Sequence, residues 1–142
     1  MFDFLLKDND DPQKTEEVIN NLEKKYSIVF PNILKQLYKQ TITGKMSLCV
    51  FSINESIYET AAIVPIINEG FCFEKIADSD RSYNSLPDSF FPLAYDRGGN
   101  FYYWDCNNCK VYFSLTDDIE NPVLISNSVD DFVILLNNSI RK

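Results

Sequence analysis

Whatever chemistry this chain performs, it performs without histidine, which is absent from all 142 residues. That removes the Ser-His and Cys-His nucleophile pairs and the side chain that titrates nearest neutral pH. Cys106-Asn107-Asn108-Cys109 has the spacing of a metal knuckle or a redox pair. A zinc knuckle needs a second cysteine pair, but the other two cysteines, Cys49 and Cys72, are far apart in sequence. A redox pair gains its low thiol pKa at a helix N-terminus, whereas this CxxC falls in a turn between strands. The four cysteines are therefore expected to be reduced and unligated, with no metal and no cofactor. Asp117/Asp118, Asp130/Asp131 and Glu16/Glu17 are paired carboxylates. Each has a local explanation as loop solvation or helix N-terminal charge, and none stands out as a glycosidase pair. Gly98-Gly99 is not followed by a helix, so it is no phosphate cradle. Tyr102, Tyr103 and Trp104 could stack on nucleic acid, but they lack basic neighbours. The net charge of −8 repels phosphate and complements a basic protein surface. No catalytic residue is expected.

The elements that must position these groups can be read in turn. Asp11-Pro12 is a helix start, and Val18, Ile19, Leu22 and Tyr26 make one apolar stripe, predicting a helix over about Pro12 to Tyr26. Pro31 opens a second helix with Ile33, Leu34, Leu37 and Tyr38 facing inward. Phe2, Phe4, Leu5 and Leu6 form an apolar cluster ahead of the acidic break at Asp8 to Asp11; it either docks on the domain or frays. Ser47 to Ile53 is apolar on both sides and predicts a central strand. Residues 54–80 allow a short helix around Ile57 to Ile63, or a strand from Ala62 to Ile67 interrupted by Pro65. Glu69-Gly70 signals a turn before Phe71, and Ala77 to Ser85 is a polar loop. Three aromatic runs follow, Phe90 to Tyr95, Phe101 to Trp104 and Val111 to Leu115. The first turn between them holds Gly98-Gly99-Asn100, and the second has Asn107-Asn108 as left-handed positions, predicting a three-stranded antiparallel meander. One of Gly98 and Gly99 should take a positive φ. Thr116 to Pro122 is an acidic loop and Val123 to Ile125 a short strand. Ser128 then caps a last helix, about Val129 to Ser139, with Asp131 three residues on.

The meander also resembles the centre of the SUKH superfamily, the Smi/Knr-type domains of cell-wall regulators and bacterial immunity proteins. The resemblance is carried by Leu86, Pro87, Pro92, Leu93, Ala94, Asp96, Gly98, Gly99, Asn100, Asp105, Val111, Tyr112 and Phe113. The family's Leu-Pro at the head of the second helix stands here as Phe30-Pro31, and its later Asn-Gly-Gly as Thr43-Gly44. Together with the elements above this implies an α+β fold. A single domain over residues 1–142 would pack two N-terminal helices and a C-terminal helix against a mainly antiparallel sheet of about five or six strands.

The resemblance implies a binding protein, an immunity protein that neutralises a toxin. From the acidic charge and the exposure expected in loops, the acidic contact candidates are Asp78, Asp80, Asp96, Asp117, Asp118 and Glu120. The aromatic candidates are Tyr83, Tyr95, Tyr102 and Trp104, with a basic toxin domain as partner. A regulatory module with a cellular protein partner is the alternative, and a small carboxylate-dependent hydrolase the third. The N-terminus lacks the basic start and apolar run of a signal peptide, and no run approaches the roughly 18 apolar residues of a membrane span. A cytoplasmic protein is expected, with neither nucleic acid nor membrane as partner.

Overall fold

Helix α1, Pro12–Tyr26, begins at its capping residue: the Asp11 carboxylate accepts the Lys14 amide hydrogen at 3.2 Å. Pro12 has no amide hydrogen to leave unpaired there. The helix stops at Ser27, which turns left-handed at φ 56°. Helix α2, Asn32–Tyr38, follows Pro31 and buries Leu34, Leu37 and Tyr38. The Tyr38 hydroxyl, fully enclosed, donates to the Val64 carbonyl at 2.8 Å. The computed structural model describes residues 1–67, 70–83 and 86–141.

Six strands follow one another across a single curled sheet in chain order, every neighbour antiparallel. They are β1 Lys45–Ile53, β2 Ser56–Ile63, β3 Phe90–Tyr95, β4 Phe101–Asp105, β5 Val111–Leu115 and β6 Asp118–Ser126. Helix α3, Phe73–Tyr83, crosses between β2 and β3, and α4, Val129–Asn137, closes the chain. The architecture is α+β, with one more helix than the sequence predicts.

The meander β3–β4–β5 forms as its turn residues require. Gly99 takes φ 82° in the first turn, while Gly98 does not need the left-handed region. In the second turn the left-handed residue is Cys109, at φ 62°, and not Asn107 or Asn108. Alternation along β4 sends Tyr102 and Trp104 to the core face and Phe101 and Tyr103 to the other. Trp104 packs edge-on to Phe30 at 5.4 Å, and Tyr102 lies 5.4 Å from Phe132 of α4.

Four expectations are corrected by the tertiary structure. The strand from Ser47 to Ile53 is not central; as β1 it is the first edge of the sheet. Its outer edge is nevertheless not left open, because both chain termini pair along it. The Ser47 amide donates to Phe4 O at 2.7 Å and the Leu6 amide to Lys45 O at 3.0 Å. Further along, the Val50 amide donates to Ser139 O at 3.0 Å and the Arg141 amide to Leu48 O at 2.8 Å. Phe2 and Phe4 are buried, so the N-terminal cluster docks. Asp8 fastens it, accepting the Ile42 amide hydrogen at 2.6 Å and the Thr43 hydroxyl.

Within 54–80, Asn54 and Glu55 take φ 49° and 71°, the geometry of a two-residue hairpin, so β2 pairs at once with β1. Neither the short helix nor the later strand forms there. The polar stretch from Ala77 is helical to Tyr83 rather than a loop, because Phe73 and Ala77 bury on one side. Phe73 stacks parallel on Phe91 at 5.7 Å. The last residues of that expected loop, 84–85, and Glu69 of the expected turn lie outside the described residues. Finally, most of the acidic loop after β5 is strand: β6 starts at Asp118, five residues before the expected Val123.

Candidate functional site

The pairing of β5 with β6 is broken in a way that shapes the surface. The strands pair at Leu115↔Asp118 and next at Phe113↔Val123. One residue of β5, Ser114, thus faces four of β6: 119, 120, 121 and 122. Such a bulge bends the strand away from its neighbour. The Asn121 side-chain amide donates to the Asp118 carboxylate at 2.8 Å and holds the bulge together. Alongside Phe113 and Leu115 lies an open cavity of about 610 Å³. The curl of the sheet brings Ile57 and Tyr58, just past the β1–β2 turn, to its far wall, with Val123 on the near one.

The lining is apolar at its base and charged at its rim. Tyr58 meets Phe113 edge-on at 5.3 Å, and Phe113 lies 4.8 Å from Tyr102, which links the lining to the core under α4. Ile57 is 76% exposed and Leu115 44%, an unusual degree for strand hydrophobics. Of the rim carboxylates, Glu59 is gripped by the Arg97 guanidinium at 2.7 to 3.1 Å, and that bond holds its carboxyl below the usual range. Asp96 is used by its own turn, accepting the Gly98 and Asn100 amide hydrogens at 2.9 and 2.8 Å. Among the described residues the Asp118 carboxylate accepts only the Asn121 amide, and Asp117 and Glu120 beside it are exposed. Opposite, among the described residues, the Arg141 guanidinium makes no hydrogen bond or ion pair.

The ten residues expected to contact a partner do not form one surface. Asp96 and Asp118 reach the cavity, with Asp117 and Glu120 next to it. Trp104 and Tyr102 are buried, at 1% and 0% exposure, and the Tyr102 hydroxyl donates to Glu59 O at 2.6 Å. They cannot be surface anchors; their aromatic rings fill the core between sheet and helices. Asp78 lies on α3, not in a loop, and clamps α1: it pairs with Lys25 at 2.8 Å and accepts the Tyr26 hydroxyl at 2.5 Å. Burial alone would raise its pKa, but these bonds outweigh it and lower it. Asp80 is half-buried beside Tyr103, and burial pushes its carboxyl up to about 6. Tyr83 is 79% exposed at the end of α3. Tyr95 joins Phe71 and Phe101 in a cluster of rings 5.2 to 6.2 Å apart on the other face of the sheet.

Sequence reading missed Ile57, Phe113, Leu115, Val123 and Arg141 as a group. The signal for part of it was the Asn54-Glu55 pair, which marks a tight hairpin and so an exposed strand start. The four cysteines are free. Burial pushes Cys49 up to about 11 and raises Cys106 and Cys109, so these three are not poised as thiolates. Among the described residues no group of acidic or cysteine side chains could hold a metal ion. No described helix is long and apolar enough to cross a membrane.

An antiparallel meander packed with helices, carrying an apolar cavity with a charged rim, defines an α+β domain with a candidate binding surface. The chain matches the SMI1 / KNR4 family (SUKH-1) over residues 14–134 and belongs to that family. Comparison with curated proteins gave no match.

Proposed function

We propose that this protein is a non-enzymatic, cytoplasmic binding module, an immunity protein that neutralises a toxin domain of basic charge. The observation that carries the reading is the cavity beside Phe113 and Leu115, set against the acidic β5–β6 turn in a chain of net charge −8. An apolar base excludes water and supplies affinity, while the exposed carboxylates steer a cationic surface toward it. The family membership supports the binding role.

A hydrolase would need a cleft with a perturbed carboxylate. Asp80 has the raised pKa, but it lies in a separate depression with Phe71, Lys75 and Phe101. No second carboxylate lines that depression among the described residues, and burial also raises the pKa of the neighbouring Tyr103. Hydrolysis by carboxylates works through a pair of them, one as acid and one as base or nucleophile.

The experiment is association by surface plasmon resonance with the toxin encoded next to this chain's gene. Replacing Asp117, Asp118 and Glu120 by Asn, Asn and Gln should slow association and weaken protection of toxin-expressing cells. Raising salt from roughly 0.05 to 0.5 M should slow the wild type likewise, since the screening length shrinks to a few Å. Rates unchanged in both comparisons would refute the electrostatic mechanism, and a neighbouring product that does not bind at all would refute the immunity reading.

A further inference from the structure

The cavity offers more apolar wall than charge steering uses. Ile57, Leu115 and Val123 are 76%, 44% and 38% exposed around a base of Tyr58 and Phe113. We propose that it receives one bulky apolar side chain, of Leu or Phe size, carried on a basic segment of the partner. This rests on the reading above that the partner is a basic protein, and adds how it is anchored.

Three observations select this occupant. The volume, about 610 Å³, is that of a site which encloses a large side chain and some flanking backbone. The charges at the rim then decide what flanks the anchor. Glu59 is neutralised by Arg97, Asp96 is engaged by its own turn, and Arg141 stands opposite as one unpaired cation; Asp118, continuous with exposed Asp117 and Glu120, outweighs it and makes the lip anionic. Lysine or arginine next to the anchor meets that lip, while an acidic segment or a second copy of this chain, itself at −8, is repelled. The competing apolar hollow on the other face, about 510 Å³ beside Phe71, Tyr95 and Phe101, is rimmed by Asp96 and Arg97, both already bonded, and offers a basic flank no free carboxylate.

The test uses the full chain with 13C-labelled Ile, Leu and Val methyl groups, titrated with three acetylated, amidated pentapeptides. Their sequences are Lys-Lys-Phe-Lys-Lys, Lys-Lys-Ala-Lys-Lys and Glu-Glu-Phe-Glu-Glu. The basic Phe peptide should give saturable shifts centred on Ile57, Leu115 and Val123. The basic Ala peptide should bind roughly tenfold more weakly, and the acidic one should not saturate. Because Leu115 and Ile57 are exposed, Leu115→Ser and Ile57→Ser should fold, and each should erase the preference for Phe over Ala. Equal binding of the Ala peptide, shifts centred on Ile76 beside Phe71, no saturable shift, or a preference that survives both variants would each overturn the proposal. Peptide failure alongside salt-sensitive toxin binding would leave the immunity reading standing with a different anchor.

Discussion

The two outer strands of the sheet are treated in opposite ways. On β1 the free edge is consumed: the N-terminal segment bonds one half and the C-terminal segment the other, and Phe2 and Phe4 are buried beside it. On β6 the register is broken by the 119–122 bulge, Pro122 interrupts the supply of amide donors, and acids stand along the strand. Both are ways of preventing edge-to-edge aggregation. The first also ties the ends of the chain together, so its cost of disruption is global. The second leaves apolar side chains partly uncovered, so that edge contributes little to stability and remains free for recognition. A sealed edge and an open one thus bound the same sheet, and variants on the two edges should separate accordingly.

The largest effect is expected at the sealed edge. Phe4→Ala removes a side chain that is 1% exposed and should cost about 3–5 kcal/mol, measured by urea denaturation. Val123→Ala, at the open edge, should stay below about 1 kcal/mol in the same assay. Equal costs would erase the contrast.

Next come two glycines. Gly44, just before β1, has φ 75°, and an added Cβ would lie 1.9 Å from the Ile63 carbonyl oxygen. Gly44→Ala should therefore cost more than about 2 kcal/mol, because backbone must move as well as strain. Gly99, in the β3–β4 turn near the cavity, has φ 82° but open space around its Cβ position. Gly99→Ala should cost about 1 kcal/mol, the conformational penalty alone.

Acid should loosen the sealed edge first. Burial alone would raise the Asp8 pKa, but bonds from Thr43 and the Ile42 amide outweigh it and lower it. A depressed folded pKa means the contribution is present above the unfolded value of about 3.9 and is lost as pH falls through the folded one. Amide exchange at Leu6 and Ser47, whose amides bond across this seam, should accelerate below about pH 4. Asp8→Asn should show that faster exchange already at neutral pH, and identical pH profiles for the two proteins would remove Asp8 from the seal. The smallest effect is the stability change of the Asp117, Asp118 and Glu120 triple variant, within about 0.5 kcal/mol of wild type, since exposed charges contribute little.

Local chemistry made much of this legible in advance. Asp11-Pro12 starts α1, Ser128 caps α4 through the Asp131 amide at 2.9 Å, and the glycine turn separates β3 from β4. In each case the deciding interaction lies within a few residues, so the sequence contains both partners. The same holds for the alternation that built the meander.

What the tertiary structure alone decided depends on partners distant in the chain. Ser47 to Ile53 reads as central because both faces are apolar, and only the docking of residues 1–6 and 139–141 makes that pattern compatible with an edge. Trp104 reads equally as core or anchor until Phe30 and Phe91 close over it, and Asp78 reads as a free loop acid until Lys25 arrives from α1. The candidate site is the extreme case: Ile57, Phe113, Val123 and Arg141 share a cavity because the sheet curls. Curl is a cumulative property of six twisted strands and one bulge, and no single stretch of sequence encodes it.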